Sequence, residues 1–573
     1  MNGATVCQAP GQNSCLQRKT RTVQRSRIAA GLLQTVVVEG TLGVMSSSRP
    51  DFPIPTKTPV PDLPDRAEVV VIGAGHNSLV CAAYLARAGL GVLVLEANAE
   101  PGGNTRTEEL TLAGFAHDSC SSAHVLIQNN PLIRDDELGL VADHGLTYLA
   151  TDPAVVMPQP DGDVLVMHRD LAGTADELAR WSPADARAFE ALIQEWRGGL
   201  AAAHGRWSSH LPQQDDDTTR RYVDLRRRSA WDVVHDRFEH PVVRSFLIWL
   251  AMATIQDPRR PGTGFLPSSL AAGRLDHGWT TPVGGSQALP DALIRVIDSH
   301  GGRVVCSAAV TGIETGTDGV QTVRVGDHRV RVDRAVVAGG HLAQLPGLLR
   351  GAPPTADLAL ARDAWRPGLS VLAVHAALRG DLGFGESGIA TAAAGLGTAD
   401  GVVRHLDRFA AGEWDADDPW LLVVNQTVVD PGRRPPGGGG TFKILTIAPW
   451  ELSGGRDWDA EKDEYGARIV DLVRRTATGL AADDILAMRT ESPLDVAAHN
   501  PQNLGGSCHG GEFLLDGATV SGWQRYDTDV PGLFLTGSTV HPGGSVSGRP
   551  GRNAARVVLT SLGLDPLAVM GPT

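Results

Sequence analysis

The sequence predicts an α/β fold, and three observations support this prediction. Residues 68–72 form a short, mainly apolar run, which is typical of a buried parallel strand, and a glycine follows it. A second apolar run covers 92–95, and the segment between the two runs has the apolar periodicity of a helix. Near the other end of the chain, 532–535 is again followed by a glycine-rich turn and a helical segment. This repeated order is typical of a Rossmann-like sheet with a nucleotide at the carboxyl ends of its strands.

The turn after the first strand, GAGHNS, has the spacing of a dinucleotide-binding fingerprint with one departure. Gly73 makes the tight turn out of the strand, and Gly75 lets the backbone approach a pyrophosphate. Ser78 stands where the third glycine is usual, and we interpret it as a tolerated change because it adds only a hydroxymethyl group. The helix is expected from about Asn77 to Ala88, with its N-terminal amides and its dipole directed at the phosphates.

Glu96 closes the second strand, 21 residues after Gly75, where a carboxylate can accept hydrogen bonds from ribose hydroxyls. A carboxylate at this position would repel the 2′-phosphate of NADP, so FAD and NAD remain as candidates. A glycine doublet and three polar residues follow at once: Gly102, Gly103, Asn104, Thr105 and Arg106. We interpret them as a second turn around the same pyrophosphate, in which Arg106 offsets the negative charge.

The C-terminal stretch VPGLFLTGSTVHPGGSVSGRPGRNAARVVLTSL predicts the other part of this site. A strand is expected over Gly532–Leu535 and a helix from about Pro550 or Gly551. Exposed amides in the turn between them suit an electron-rich edge, such as the pyrimidine oxygens of a flavin. An ordinary glycine-rich loop is the alternative interpretation. The residues predicted to bind the cofactor in this turn are Gly537, Ser538, Gly544, Ser545 and Val546.

Length and composition exclude several classes of protein. A chain of 573 residues with 42% hydrophobic content is long enough for two or three domains. It has no apolar run of about 20 residues, so no membrane-spanning helix is expected. The net charge of −14 argues against nucleic acid as a partner. The 47 arginines beside four lysines indicate a GC-rich, for example actinobacterial, genome.

The cysteine pattern predicts a reduced, cytoplasmic setting and no metal site. No pair has the CxxC or CxxxxC spacing of metal sites and disulfide reductases. The six cysteines are Cys7, Cys15, Cys81, Cys120, Cys306 and Cys508.

Six stretches, in this order, resemble the phytoene desaturase-like FAD oxidoreductases. They are GAGHNSLVCAAYLARAG, PGGNTRT, GWTTPVGGSQALPDAL, APWELSGGRDWD, NLGGSCHGGEF and LTGSTVHPGGSVSGRPGRNAA. The branch they resemble most is that of pyridine nucleotide-disulfide oxidoreductase domain-containing protein 2; carotenoid desaturases, a carotenoid ketolase and retinol saturase are relatives. The resemblance covers about Glu68 to Leu562 and is weaker in the middle. Ser78 and Ser545 replace glycines that are common in this branch.

The resemblance implies an FAD-binding domain assembled from separated segments, with an α+β substrate domain inserted between them. The expected FAD-binding parts are 66–149, 281–349 and 500–573, the helical substrate-side segment is 150–280, and the substrate-domain sheet and helices are 350–499. It also implies that the backbone at Val310 meets the adenine.

An N-terminal extension over 1–65 precedes the first predicted strand. Within it, residues 1–44 are basic, which fits a transit peptide. We favour disorder or a start assigned too early, with Met45 as the true first residue. A chain that begins at Met45 is therefore expected to retain the cofactor.

The resemblance further implies an FAD-dependent dehydrogenase or desaturase, in which hydride passes from an apolar or polyene-like small molecule to the flavin N5. Oxygen or a quinone is the expected electron acceptor, because no second strand–GxGxxG–helix unit is visible for a nicotinamide. Three histidines lie in motifs that the resemblance places near the flavin: His124, His509 and His541. A structural or orienting role is the alternative for each. His509 is the favoured catalytic candidate, because its glycine neighbours allow close backbone approach.

Other functions remain open from the sequence. A saturase, isomerase or ketolase fits the same scaffold, and an escort-type binding protein uses a related fold without redox chemistry. A plain NAD dehydrogenase is disfavoured by residues 101–105. The apolar segment Val242–Ile255 is interpreted as a buried core helix, with a tunnel lining or peripheral contact with a membrane as alternatives.

Overall fold

Two sheets organise the protein, one assembled from both ends of the sequence and one from its middle. The computed structural model describes residues 62–351, 356–512 and 522–571, all within one unit of the chain, 57–573. The expectation that residues 1–44 are dispensable therefore lies outside the described residues.

The strands are numbered in chain order. They are β1 (Arg66–Ile72), β2 (Val92–Leu95), β3 (Thr107–Glu108), β4 (His117–Asp118), β5 (Tyr148–Thr151), β6 (Val155–Pro158), β7 (Val164–Met167), β8 (Trp279–Pro282), β9 (Arg303–Val305), β10 (Val310–Gly316), β11 (Gly319–Val325), β12 (His328–Ala338), β13 (Leu349–Arg350), β14 (Val371–Leu378), β15 (Gly383–Phe384), β16 (Ala393–Leu396), β17 (Leu421–Val424), β18 (Gly440–Ile447), β19 (Ala477–Thr478), β20 (Ile485–Glu491) and β21 (Leu533–Leu535).

The helices are numbered in the same way. They are α1 (His76–Arg87), α2 (Val125–Gln128), α3 (Pro131–Arg134), α4 (Leu171–Trp181), α5 (Pro183–Glu195), α6 (Ala201–Ser208), α7 (Asp217–Arg227), α8 (Ala230–Arg237), α9 (Pro241–Met252), α10 (Leu266–His277), α11 (Ala288–Ser299), α12 (Leu345–Leu348), α13 (Ala356–Ala364), α14 (Ala399–Ala410), α15 (Gln426–Val429), α16 (Trp458–Arg474), α17 (Pro493–His499) and α18 (Arg549–Ser561).

The first sheet has a parallel part in the order β9-β2-β1-β12-β21. The first half of β12 also pairs with β11, and its last three residues pair with β21, so the C-terminal strand joins the sheet that β1 begins. Because the strands are parallel, their carboxyl ends and the glycine turns that follow them meet at one edge. This confirms the predicted Rossmann-like domain built from separated segments.

Helix α1 packs against β1 and β2 of the first sheet and against the helices α11 and α18, which themselves contact β9 and β21. Its residues from Asn77 to Ala86 are all buried, and they are mostly small or aliphatic, which suits a helix covered on several sides. The approach of α18 is close at Gly551, where an added Cβ would lie 2.2 Å from the backbone oxygen of Asn77. The two ends of the chain are therefore packed against each other at the start of α1.

The second sheet has the strand order β20-β14-β18-β17-β16-β6-β7. Side chains on one face pack with α5, α9 and α10, and those on the other face pack with α16. Helix α9 is buried from Ser245 to Met252, and the indole Nε1 of Trp249 donates to the Leu421 backbone oxygen at 2.8 Å. The apolar segment is therefore a core helix. Within the described residues, no helix combines the length and apolarity needed to cross a membrane.

The segment expected to be helical over 150–280 begins with strands. Strands β6 and β7 form an antiparallel pair, and β6 joins the second sheet through Val156, opposite Ala394. The partner of β6 in the second sheet, β16, lies more than 200 residues away along the chain, so no local pattern indicated that this hairpin joins the sheet. The domain boundaries expected from the resemblance remain a proposal.

Candidate functional site

Two glycine turns lie in contact at the carboxyl end of β1. The amide of Gly102 donates to the backbone oxygen of Ala74 at 2.8 Å, and Gly102 forms an isolated parallel bridge with Gly75. A Cβ at Gly103 would lie 3.3 Å from the Cα of Gly75. The glycine doublet therefore sits beside the fingerprint turn, as a second turn around one pyrophosphate requires.

Gly75 shows that this turn has room for a ligand. Its φ of −67° is accessible to any residue, and an added Cβ would meet no heavy atom within 4 Å. Gly73, in contrast, has a φ of 89°, and this backbone conformation by itself favours glycine. Neither the backbone conformation nor the packing requires glycine at 75. The open space at the N-terminus of α1 fits the pyrophosphate of a dinucleotide.

Glu96 holds the fingerprint turn in place. Its buried carboxylate accepts from the Ala74 amide at 2.6 Å and from the Asn98 amide at 2.9 Å. Each carboxylate oxygen has a further lone pair for a ribose hydroxyl. The Ala308 amide donates to the Glu96 backbone oxygen at 2.7 Å, which brings the start of β10 and Val310 to this side of the site. The contact of Val310 with an adenine stays a prediction.

The polar residues after the glycine doublet form hydrogen bonds and an ion pair with other groups of the protein. The side chains of Asn104 and Asn503 exchange two hydrogen bonds, which ties the doublet to the segment 500–508. The Thr105 hydroxyl donates to the Gly102 oxygen at 2.6 Å. Arg106 forms an ion pair with Glu108. The charge expected to offset a pyrophosphate is thus already compensated, and a phosphate role for Arg106 stays a prediction.

Ser78 is accommodated by a glycine on a neighbouring strand. A Cβ at Gly339, just after β12, would lie 1.9 Å from the Ser78 Oγ and 2.8 Å from the Ile72 backbone oxygen. The hydroxymethyl group therefore occupies space that a side chain at 339 would need.

We predict that Gly339→Ala lowers the free energy of unfolding by about 1–3 kcal/mol, the usual cost of overpacking. Ser78→Gly alone should cost about 0.5–1 kcal/mol, because it adds backbone freedom to a helix. In the double variant the contact with Ser78 is relieved but the contact with the Ile72 oxygen remains. Urea unfolding should be measured for the wild type, the two single variants and the double variant. The loss of unfolding free energy in the double variant should be smaller than the sum of the losses in the two single variants. Strict additivity would contradict this packing.

The C-terminal glycine turn contacts the fingerprint turn directly. The backbone oxygen of Ser545 and the Nε2 atom of His76 are 3.2 Å apart, and the ring nitrogen donates. Ser545 has a φ of 77°, in the left-handed region that favours glycine. Serine at 545 therefore adopts a backbone conformation that glycine would adopt with less strain. Gly537, with a φ of 105°, lies against the Gly339 backbone oxygen.

Gly544 is needed for packing between two glycine-rich segments. Its amide donates to the His509 backbone oxygen at 3.1 Å, and an added Cβ would lie 2.3 Å from the same oxygen. The amide is therefore engaged within the protein, unlike the exposed amides expected from the sequence. A Cβ at Gly510 would similarly lie 2.0 Å from the Ser538 oxygen. The cofactor contacts of Gly537, Ser538, Gly544, Ser545 and Val546 stay predictions.

The three candidate histidines have different surroundings. His124 is fully buried, with Nε2 3.2 Å from the Ser286 hydroxyl and Nδ1 3.4 Å from the Tyr148 hydroxyl. His541 Nε2 donates to the Trp207 backbone oxygen at 2.8 Å. His509 is half-buried, and its Nδ1 lies 3.4 Å from the Cys508 sulfur. These contacts fit the orienting alternative for His124 and His541.

Burial keeps many histidines of this protein neutral. Desolvation is the main cause of a pKa lowered to about 3 or 4 for His76, His117, His124, His204, His341, His405, His509 and His541. Below about pH 6.5 the unfolded chain binds protons at these positions and the folded chain does not. Their contribution to stability is therefore complete above about pH 6.5 and is lost as the pH falls toward 4.

We predict that the free energy of unfolding falls between pH 7.5 and pH 5 by up to about 1.4 kcal/mol per pH unit for each such histidine. Urea unfolding at several pH values measures this slope. His204→Phe replaces a ring stacked on Phe265 and removes one titrating group. It should therefore lower the slope by the contribution of one histidine, up to about 1.4 kcal/mol per pH unit. A stability that does not change with pH over this range would contradict the prediction.

A buried polar cluster beside β4 was not predicted from the sequence. Asp118 and Arg433 form an ion pair at 3.1 Å, with side chains 0% and 1% exposed. The buried Lys443 donates to the backbone oxygens of Asp118, Ser119 and Cys120. A lysine inside the apolar strand TFKILTI, one of only four in the chain, was a usable signal. His76 gave none, because the fingerprint accepts any residue there.

Comparison with known proteins gives consistent matches over most of the chain. The family model described as flavin containing amine oxidoreductase matches residues 79–559. A limonene dehydrogenase polypeptide of Castellaniella defragrans is 26% identical over 542 residues, which cover 87% of this chain and 96% of that protein. The lycopene-forming phytoene desaturase of Pseudescherichia vulneris is 25% identical over 520 residues, covering 87% and 99%.

Solved structures share the fold at lower sequence identity. A triple mutant of putrescine oxidase aligns with a TM-score of 0.58 at 15% identity, covering 87% of this chain and 99% of that one. Cyclohexylamine oxidase from Brevibacterium oxydans aligns with a TM-score of 0.53 at 18% identity, covering 87% and 100%.

Proposed function

The chain belongs to the flavin-containing amine oxidoreductase family, and from this premise we propose that it dehydrogenates a neutral, apolar small molecule. It is an FAD-dependent oxidoreductase, as the six sequence motifs indicated. The proposal concerns the substrate, the electron acceptor and the roles of individual residues.

The site residues fit FAD. The turns at Gly73–Gly75 and Gly102–Gly103 would hold the pyrophosphate, Glu96 the adenosine ribose, and 537–546 the flavin half. The open space at Gly75 and the buried Asn77 Oδ1, which has no hydrogen-bond partner among the described residues, support this assignment. When bound, FAD supplies the two-electron oxidation of a C–H bond.

One observation carries the substrate proposal: in the buried polar cluster beside β4, the charged side chains are already paired with other groups of the protein. Asp118 is paired with Arg433, Lys443 is bound by backbone oxygens, and Glu491 is paired with Arg489 at 2.8 Å. An ammonium substrate needs an uncompensated carboxylate when it is desolvated, whereas a neutral apolar molecule does not. The paired carboxylates of this cluster therefore favour a neutral substrate over an amine.

The names of the relatives agree with this choice. Proteins named for limonene and phytoene match at 26% and 25% identity, while the amine oxidases share only the fold. Limonene and phytoene are both hydrocarbons. A polyene or terpene-like molecule is therefore the substrate class we propose.

The histidines orient groups and keep the site dry in this proposal. The pKa of His509 is lowered to about 4 by burial, so its ring is neutral at pH 7 and weakly basic. We therefore assign His509, His124 and His541 to positioning. Oxygen or a quinone accepts the electrons, and an apolar substrate is delivered through peripheral contact with a membrane.

The test is anaerobic mixing of the FAD-loaded enzyme with two matched panels. One panel holds neutral alkenes and polyenes in detergent, and the other holds primary amines with similar carbon skeletons. We expect the visible flavin absorbance to bleach with the first panel only, and the product to have gained a double bond. Bleaching by amines alone would overturn the proposal. Isomerised product without bleaching, or alkene reduction by the dithionite-reduced enzyme, would favour the isomerase or saturase instead.

A further inference from the structure

One arginine of helix α10 is buried without a counter-ion. Arg274 is only 6% exposed, and its guanidinium carbon lies 4.6 Å from the centre of the Trp279 ring. No residue in the described part of the chain forms an ion pair or a hydrogen bond with the guanidinium group. Burial lowers the pKa of Arg274 to about 10, so the group still carries its charge at pH 7. A buried charge of this kind is unfavourable unless a partner compensates it.

Strands β5 and β8 form a two-stranded antiparallel ribbon that carries further unpaired polar groups. Trp279 lies opposite Thr151 on this ribbon, and Thr281 lies opposite Leu149. Side chains alternate along a strand, and residues directly opposite each other point to the same side, so these four residues share one face. On this face the Trp279 Nε1, the Thr281 Oγ1 and the Thr151 Oγ1 are buried and have no hydrogen-bond partner among the described residues.

These unpaired groups have the chemistry of an anion site. The guanidinium and the indole can only donate hydrogen bonds, and the threonine hydroxyls can donate as well as accept. The guanidinium lies over the Trp279 ring, and Thr281 follows on the same face about 7 Å along the strand. One positive charge is balanced by one negative charge. The planar guanidinium also matches the two oxygens of a carboxylate, which distinguishes this ligand from a doubly charged phosphate.

The other face of the ribbon contacts one of the candidate histidines. Tyr148 lies opposite Pro282 on this face, and its hydroxyl is 3.4 Å from the Nδ1 atom of His124. The His124 side chain therefore meets the face opposite to the one that carries Trp279. The unpaired groups around Arg274 are thus separate from the histidine that the sequence motifs associate with the flavin.

We propose that Arg274, Trp279, Thr281 and Thr151 form a binding site for a carboxylate. The carboxylate accepts hydrogen bonds from the guanidinium and from the neighbouring indole and hydroxyl groups, and it compensates the buried charge. It belongs either to a small free anion or to the end of a longer molecule whose apolar part packs in the core that contains Trp279 and helices α5, α9 and α10. This site goes beyond the proposed dehydrogenation and does not depend on it.

Isothermal titration calorimetry of the full-length FAD-loaded protein tests the site with sodium acetate, sodium octanoate and octanol in a buffer free of carboxylates. We expect octanoate to bind and octanol to bind more weakly or not at all, because only the acid supplies the negative charge. Acetate that binds as tightly as octanoate identifies a small free anion as the ligand. Octanoate that binds more tightly than acetate identifies the carboxyl end of a longer molecule. The readout is independent of turnover, so it succeeds or fails separately from the proposed dehydrogenation.

Three variants make the test specific. Arg274→Met keeps an apolar side chain and removes the charge, so it should weaken carboxylate binding by about tenfold or more. Arg197→Gln removes a charge at an exposed position, where Arg197 pairs with Asp276, and should bind carboxylate as the wild type does. If Arg274→Met fails to fold, Thr281→Val replaces it, with an expected weakening of about threefold or more.

Three results would overturn the carboxylate site. They are a wild-type protein that binds neither acid, octanol that binds as tightly as octanoate, and an unchanged carboxylate affinity in Arg274→Met or, in its place, in Thr281→Val.

Discussion

We expect Gly75→Val to weaken FAD binding by more than about a hundredfold, or about 2.7 kcal/mol, while the fold stays intact. The backbone at 75 has a φ of −67°, and an added Cβ would meet no protein atom within 4 Å. The valine side chain would instead fill the space that the pyrophosphate needs at the start of α1. The effect should therefore appear in cofactor affinity and not in stability of the apoprotein.

Equilibrium titration of the apoproteins with FAD measures this effect, and urea unfolding without FAD tests the fold. Gly380→Val is the matched control, because a Cβ at Gly380 also meets nothing within 4 Å and the residue lies beyond the end of β14. The control should bind FAD as the wild type does. Equal FAD affinity in the Gly75 variant would show that the phosphates lie elsewhere.

The second large effect is expected for Gly551→Val, which should lower the free energy of unfolding by about 3 kcal/mol and weaken FAD binding as well. An added Cβ would lie 2.2 Å from the Asn77 backbone oxygen and 2.8 Å from the Val80 Cβ. Backbone in the first turn of α1 cannot move aside without displacing the amides at its N-terminus. A substitution in the C-terminal helix α18 is therefore expected to displace the fingerprint turn as well.

Thermal and urea unfolding, together with FAD titration, test this coupling. Thr560→Val places the same side chain at an exposed position of α18 and should change stability by less than about 0.5 kcal/mol. Deletion from Val530 onward, which removes β21 and α18, should abolish FAD binding although the first fingerprint is untouched. FAD affinity at the wild-type level in Gly551→Val or in the deletion variant would show that the C-terminal segment is not part of the FAD site.

Much of the fold could be predicted because the signals are local. The spacing of Gly73 and Gly75 between an apolar run and a helical segment placed the end of β1 correctly and both ends of α1 within one residue, whereas β1 begins two residues earlier than expected. Glu96 closes β2 as expected, and Leu533–Leu535 is a strand. The hairpin of β6 and β7 was missed although it is local, and its place in the second sheet was missed because β16, which pairs with β6 there, is remote in the chain.

The sequence by itself therefore determined the Rossmann-like fold and the FAD-dependent chemistry of the family, because their signals depend on backbone conformation over a few consecutive residues. The acidic ribose partner that it predicts, Glu96, stays a prediction. Only the tertiary structure decided which distant groups share space. It placed Ser78 against Gly339, Gly551 against Asn77 and Arg106 against Glu108. Such contacts depend on how strands are ordered and helices cross, and residues hundreds of positions apart carry no local pattern that records them.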